Sequence, residues 1–148
     1  MTIQLTPPLM AVSALLLLAG PAPAQEGGQG GRPIDVEMTG AAERPGPGDE
    51  NGAGTATFRI NPGQKQVCYT LTVTDIATAT AAHIHKAPPT EAGPVVVPLE
   101  APSDGSSEAC AEVTRELAMD LIKSPADYYV NVHNAAFPAG AVRGQLGK

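Results

Sequence analysis

The strongest constraint on the fold is the strict alternation of apolar and polar residues between Gln66 and Ile76. One side of this segment, in an extended chain, would carry Val67, Tyr69, Leu71 and Val73. The other side would carry Cys68 and three threonines. A period of two places successive side chains on opposite faces of a strand, and most of these residues are β-branched or aromatic. The segment therefore predicts an antiparallel strand with one face on the core and one towards solvent.

Comparable short segments recur along the chain and are separated by turn-forming residues. The 148 residues include 16 Gly and 15 Pro, which limit most elements to a few residues between breaks. Strand patterns are predicted at 34–39, 54–60, 66–76, 81–85, 95–99, 108–113, 128–133 and 141–146. Residues 114–124 have the capping threonine and apolar stripe of a helix. These patterns favour an all-β fold, an antiparallel β-sandwich or Greek-key barrel of about eight strands with one short helix.

Residues 1–24 have the pattern of a secretory signal peptide. An apolar run from Leu9 to Gly20 is followed by Ala22-Pro23-Ala24, the small-residue pattern that precedes a cleavage site. Residues 25–32 are rich in glycine and are predicted to be a flexible leader, which leaves 33–148 as one domain. We expect a secreted or periplasmic protein. The apolar run is too short to span a bilayer and belongs to the predicted signal peptide, so stable membrane insertion of the mature chain is not expected.

Charge and motif content narrow the function classes. The formal net charge is -6 and no basic cluster is present, which argues against a nucleic-acid partner. The sequence has no G-x-S-x-G and no glycine motif for phosphate or dinucleotide binding, so a serine hydrolase or nucleotide enzyme is not expected. We expect a non-catalytic binding module whose partner is an unidentified protein or extracellular ligand.

The chain has two cysteines, Cys68 and Cys110. In an exported protein such a pair most often forms a disulfide, and a closed loop of about forty residues would contribute roughly 4 kcal/mol in the chain-entropy model. The alternative is a pair of metal thiolates or redox thiols, for which the C-x-x-C spacing is missing. A structural disulfide is therefore predicted.

All three histidines lie in two strand-like tripeptides, His83-Ile84-His85 and Asn131-Val132-His133. Residues i and i+2 of a strand share a face. If the apolar face of each strand turns to the core, the opposite face of the sheet carries His83, His85, His133, Asn131, Arg143 and Gln145. Three imidazoles from neighbouring strands could hold copper or zinc, with a fourth position for water or another ligand.

Two other roles compete with metal binding at this face. The histidines could tie strands together by hydrogen bonds, or they could contact some other ligand. Arg143 beside the site would repel a cation and could instead bind a carboxylate. A shared metal site requires ring nitrogens within about 6 Å of one another. A metal-dependent enzyme would also need an open coordination position beside a pocket and a general base.

Four segments of the sequence carry a family resemblance. They are AAHIH at 81–85, GPVVVPL at 93–99, YVNVHN at 129–134 and GAVRGQL at 140–146. Together they resemble the CHRD domain over about residues 33–147. The resemblance implies a β-sandwich-like extracellular module without an established enzymatic activity. This chain differs from the usual family pattern in having Lys86 after the H-I-H, where glycine is usual, and in lacking an acidic residue in the last turn.

A weaker similarity is to Cu/Zn superoxide dismutase, a Greek-key β-barrel whose copper strand also carries an H-x-H pair. The chain lacks the further histidines and the aspartate of that two-metal site. Dismutase activity is therefore not expected. A metal-dependent enzyme with a remote superoxide-dismutase-like character is kept as one alternative. A purely structural envelope or extracellular domain is the other alternative.

Overall fold

The computed structural model describes residues 30–147, so the predicted signal peptide and residues 25–29 of the predicted leader lie outside it. Within this range the chain forms eight strands and one α-helix, which confirms the predicted all-β class. The elements are β1 (Arg32–Thr39), β2 (Ala53–Asn61), β3 (Gln66–Thr74), β4 (Ala79–Lys86), β5 (Val95–Leu99), β6 (Ser106–Glu112), α1 (Arg115–Lys123), β7 (Tyr128–Asn134) and β8 (Val142–Gln145), with short 3-10 helices at Gly40–Ala42 and Pro125–Asp127.

The strands form one antiparallel sheet in the order β5-β4-β7-β8-β1-β2-β3-β6. The sheet curls until its edge strands β5 and β6 approach each other, which gives a shape close to a barrel. Two hydrogen bonds at Glu100, just after β5, hold this closure. The Glu100 amide donates to the Tyr69 hydroxyl, and the Ser107 hydroxyl donates to the Glu100 carbonyl.

The core lies on the concave side of the curled sheet and is built mainly from β-branched and small side chains. The apolar face predicted for β3 is buried, and so are Phe58 and Ile60 of the neighbouring strand. Helix α1 begins after Thr114, whose hydroxyl accepts a hydrogen bond from the Leu117 amide as expected of an N-cap residue. Its inner face contributes Ala118 and Leu121 to the same core. No helix within residues 30–147 is both long and apolar enough to span a bilayer.

Cys68 on β3 and Cys110 on β6 lie directly opposite each other and form a disulfide, as predicted. The two residues are 42 positions apart in sequence. Strand β6 is at the edge of the sheet and pairs with β3 on one side. The disulfide therefore attaches this edge strand covalently to its neighbour.

The strand order places the two histidine segments side by side, because β7 lies between β4 and β8. One row across these three strands is His83, Asn131 and Arg143, and the next is His85, Tyr129 and Gln145. His133 lies opposite Ala81 on the same face. The alternate residues of β7, Tyr128, Val130 and Val132, are buried in the core. The predicted phasing of these strands is therefore observed.

The segment 40–54, which includes the connection between β1 and β2, is rich in glycine, proline and acidic residues, a composition that predicts an exposed loop. It folds back on itself and against the start of β8, because the Gly48 amide donates to the Gly40 carbonyl and the Asp49 amide donates to the Ala141 carbonyl, both at 2.8 Å. The Glu43 side chain is consequently only 2% exposed. The expectation was wrong for this residue because backbone hydrogen bonds, which the sequence pattern does not reveal, bring the segment onto the sheet.

Candidate metal centre

Three histidines from β4 and β7 meet on the face of the sheet opposite the core. One ring nitrogen from each of His83, His85 and His133 lies within 4.8 Å of those of the other two. The closest pair is His83 Nδ1 and His133 Nε2, at 3.1 Å. These separations are inside the limit of about 6 Å expected for a shared metal ion. A tetrahedral zinc site has ligand nitrogens about 3.3 Å apart, so the widest pair would close by roughly 1.5 Å on binding.

Backbone carbonyls orient two of the three rings. His85 Nδ1 donates to the Gly93 carbonyl at 2.8 Å, and His133 Nδ1 donates to the Pro138 carbonyl at 3.0 Å. A carbonyl can only accept, so each Nδ1 carries the proton and each Nε2 retains its lone pair. Metal-binding histidines in proteins are commonly held in this way, since the bond fixes both the tautomer and the ring orientation.

The second nitrogen of His85 has no hydrogen-bond partner. His85 is 8% exposed, and its Nε2 is one of two buried side-chain polar atoms without a partner among the described residues. Buried polar atoms are nearly always hydrogen-bonded, and an unpaired one costs about 1–3 kcal/mol. This nitrogen therefore has an electron pair available for a ligand.

The environment favours the neutral form of His83 and of His133. Burial is the main factor that lowers the pKa of His83, and the neighbouring His133 and His85 lower it further. Burial also lowers the pKa of His133, although its bond to the Pro138 carbonyl acts in the opposite direction. Neutral imidazole is the form that binds metal ions, so both rings are in the ligand state at neutral pH.

Tyr129 supports His85 from the neighbouring strand. The two rings stack with centroids 4.7 Å apart and planes 4° from parallel. The Arg143 guanidinium lies 3.4 Å from the Tyr129 ring centre, and β4 and β8 flank β7, so His85 and Arg143 cover the tyrosine from two sides. Alternation alone predicts Tyr129 to be at the surface, but the loop between β4 and β5 buries it, and its hydroxyl accepts a hydrogen bond from the Gly93 amide.

Arg143 and Gln145 belong to the support of the site and hold the β4–β5 loop. The Arg143 guanidinium donates to the carbonyls of Glu91 and Pro88 at 2.8 and 2.9 Å, where a carboxylate partner was one expectation. The Gln145 amide donates to the Ala87 carbonyl at 2.7 Å and accepts from Arg143. The positive charge of Arg143 is thus directed to the loop carbonyls and the Tyr129 ring.

Asn131 is the predicted polar residue that lies closest to the histidines. It is 1% exposed and sits between His83 on β4 and Arg143 on β8. Its Oδ1 lies 3.0 Å from His133 Nε2, the same nitrogen that is 3.1 Å from His83 Nδ1. Three polar atoms therefore converge at this point.

Glu43 also lies in this region, although no sequence pattern indicated it. Burial raises the pKa of its carboxyl to about 7, and the Arg44 amide, the Asn131 side chain and the Arg143 charge offset part of this effect. Gly140, with φ +144°, makes room for it, because a Cβ there would collide with the carboxyl. The surrounding sequence has many charged and turn-forming residues, so no local pattern distinguishes Glu43.

We expect substitution Glu43→Gln to stabilise the metal-free protein in a pH-dependent way. The folded-state pKa of Glu43, about 7, lies above the ordinary value of 4.5, so the folded protein binds the proton more tightly. Its contribution to stability is present below pH 4.5 and is lost as the pH rises through 7. At about 1.4 kcal/mol per pH unit, the stability of the variant relative to the parent should rise by about 3 kcal/mol from pH 4 to pH 8.

Urea unfolding at several pH values, with a chelator present, measures this difference. The lowered pKa values of His83 and His133 have the opposite effect, because their contribution to the free energy of unfolding is lost as the pH falls below 6.5. This contribution is the same in the parent and the variant, so it cancels when the two free energies are subtracted. Glu50→Gln is the control, because this exposed side chain lies in the same segment, and it should stay within about 0.5 kcal/mol of the parent. A difference for Glu43→Gln that does not change with pH would contradict the account of its burial.

Comparison with known proteins identifies the family. A sequence model of the CHRD domain matches residues 34–146. The chain belongs to the CHRD family. The match includes the three histidines, Asn131 and Arg143, and CHRD membership points to an extracellular binding module. No curated protein and no solved structure matches the chain.

Lys86, the residue that follows the H-I-H segment, forms an ion pair with helix α1. It is the last residue of β4, and its ammonium forms an ion pair of 2.8 Å with Asp120 of α1. The same group lies 5.1 Å from the ring centre of Tyr128. The residue therefore connects the histidine strand of this CHRD domain to the helix.

Proposed function

We propose that this CHRD domain is an exported, non-catalytic binding module that holds a divalent copper or zinc ion through His83, His85 and His133. The observation that carries the proposal is the convergence of three imidazole nitrogens within 4.8 Å of one another. Imidazole is a good ligand for both metals, and three such ligands are a common protein contribution to a zinc or copper site.

The protonation pattern of the site supports the same proposal. His85 and His133 have Nδ1 on a carbonyl, which leaves Nε2 of each ring with an electron pair. For His85 this nitrogen is buried and unpaired, so a bound cation would remove an unfavourable feature of the metal-free protein.

Two further features support export. The apolar run at 9–20 followed by small residues has the pattern of a signal peptide, and the domain contains a disulfide, which persists in oxidising compartments. We propose a secreted or periplasmic location, with an extracellular ligand or protein as the partner of the domain.

A purely structural role of the histidines is the second candidate. It is favoured by the 3.1 Å separation of His83 Nδ1 and His133 Nε2, which is the distance of a hydrogen bond between neutral rings. Such a bond would connect β4 to β7 through side chains, in addition to their backbone pairing. The two candidates differ in what a metal titration measures.

Calorimetric titration of the purified protein with Cu²⁺ and Zn²⁺ tests the proposal. We expect sub-micromolar binding of one ion per chain by the parent, and at least about 100-fold weaker binding by the His83→Ala/His85→Ala double variant. Lys86→Ala is the matched control, because this exposed residue adjoins His85 but points to the opposite face, and its affinity should equal that of the parent.

Absence of sub-micromolar binding by the parent would remove the metal-binding proposal. If the parent does not bind and the double variant also unfolds at a lower temperature in chelator, the histidines act as a structural cluster. Thermal unfolding in chelator should therefore be measured on the same three proteins.

A further inference from the structure

We propose that Asn131 supplies the fourth ligand of the metal ion, through its side-chain oxygen Oδ1. The site would then be a closed cage of three imidazole nitrogens and one amide oxygen, selective for divalent ions. This inference rests on the proposed metal binding and deepens it. It replaces the water molecule that would otherwise complete the coordination.

The position of Asn131 is the first support for this assignment. The residue is directly opposite His83 across the β4–β7 pair and two residues from His133 on the same face. Its Oδ1 is 3.0 Å from His133 Nε2, and that nitrogen is 3.1 Å from His83 Nδ1. Both separations are close to the spacing of about 3.3 Å between ligand atoms around one tetrahedral zinc ion.

The proton count at these three atoms is the second support. His133 Nδ1 holds its proton against the Pro138 carbonyl, so His133 Nε2 is an acceptor. In the metal-free protein, a proton on His83 Nδ1 can connect the two nitrogens. The remaining contact, between Asn131 Oδ1 and His133 Nε2, then joins two acceptors, and a cation between them would turn this unfavourable contact into two ligand bonds. When the ion binds, His83 changes tautomer, so that the proton is on Nε2 and Nδ1 becomes a ligand atom.

The orientation of the Asn131 amide decides whether its contact with His133 joins two acceptors. An amide turned the other way would direct its NH₂ group at His133 and form an ordinary hydrogen bond. In the structure Oδ1 is the amide atom on the histidine side, 3.0 Å from His133 Nε2.

The ligand set indicates the class of ion. Imidazole suits Zn²⁺ and Cu²⁺, and an amide oxygen is a hard ligand that monovalent copper binds poorly. Four protein ligands leave no open position, which is the arrangement of structural zinc sites. The site is therefore suited to holding a divalent ion and not to catalysis.

Absorption spectroscopy of the protein with Co²⁺, a spectroscopically visible substitute for Zn²⁺, tests the assignment. For the parent we expect a four-coordinate cobalt spectrum that azide leaves unchanged, because no bound water is available for exchange. Asn131→Leu should weaken Co²⁺ binding at least about tenfold and make the spectrum respond to azide. Asn131→Asp should bind Co²⁺ with a shifted, azide-insensitive spectrum. Gln64→Leu removes an exposed amide from the turn between β2 and β3, away from the histidines, and is the control, with the spectrum of the parent expected.

The outcomes separate the two proposals. If the parent takes up no Co²⁺ or Zn²⁺, the proposed metal binding itself is wrong. The metal-binding proposal stands if Co²⁺ binding depends on His83 and His85. The role of Asn131 is nevertheless overturned if azide shifts the cobalt spectrum of the parent and Asn131→Leu has the same spectrum as the parent. Should Asn131→Leu fail to fold, Asn131→Asp decides, because a spectrum identical to that of the parent would exclude Asn131 as a ligand.

Discussion

Replacement of Arg143 with leucine is expected to lower the free energy of unfolding by about 3 to 5 kcal/mol. The side chain is 1% exposed, and its guanidinium donates to the carbonyls of Pro88 and Glu91 and packs on the Tyr129 ring. Hydrogen bonds from a charged donor contribute about 1.5–3 kcal/mol each, and leucine forms none of them. The loss should appear as a lower midpoint in urea unfolding.

Two further variants test whether the contacts of Arg143, and not its charge alone, stabilise the fold. Arg143→Lys keeps the charge but not the planar fork, and we expect it to recover less than half of the lost stability. Arg115→Leu removes an exposed arginine at the start of α1 and should change stability by no more than about 0.5 kcal/mol. An Arg143→Lys variant as stable as the parent would show that charge alone, without the two-carbonyl and ring contacts, accounts for the role of the residue.

Removal of the disulfide by Cys68→Ala/Cys110→Ala is expected to cost about 4 kcal/mol. The bond closes a loop whose ends are 42 residues apart, and loss of that constraint increases the entropy of the unfolded chain. Because β6 is an edge strand joined to the sheet through β3, its detachment should accompany the loss. Urea unfolding of the parent with and without a thiol reductant should give the same difference as the double variant.

The control for the cysteine pair is a second cross-strand pair that has no covalent bond. Thr55 and Thr72 face each other on exposed positions of β2 and β3 and share a hydrogen bond of 2.9 Å. The double alanine variant of this pair should lose no more than about 1 kcal/mol. Equal losses in the two double variants would mean that contacts at the sheet surface, and not loop closure, set the effect of the disulfide.

The fold was largely predictable because alternation reports which face of each strand is buried. Val67, Leu71 and Val73 are buried where a period of two places them, and Thr114 caps the helix that its position predicts. The order of the strands was not determined by these patterns. It depends on contacts between segments far apart in sequence, such as β1 with β8 and β4 with β7.

The sequence predicted those residues of the candidate site whose positions are set by a strand. It did not predict the residues that are buried by a connecting loop. Spacing puts His83 and His85 on one face of β4, and the apolar residues on either side of Asn131 put its side chain on the outer face of β7, whatever the strand order. Burial of Tyr129 and Glu43 depends on two connecting segments that fold across that face. Arg143 and Gln145 hold the segment 87–94 by donating to its backbone carbonyls, and backbone hydrogen bonds hold the segment 40–52. Backbone groups are the same in every residue, so the sequence carries little information about such packing.

The pairing of β4 with β7 has a thermodynamic consequence for an ion bound by the histidines. His83 and His133 are 50 residues apart in sequence and meet only when these strands are paired. The unfolded chain therefore lacks the assembled site, and any ion held there binds the native state alone. Its binding free energy adds to the stability of the fold by mass action, about 2.7 kcal/mol at a free-ion concentration of 100 times Kd. The melting temperature of the domain would then rise with the concentration of free metal around it.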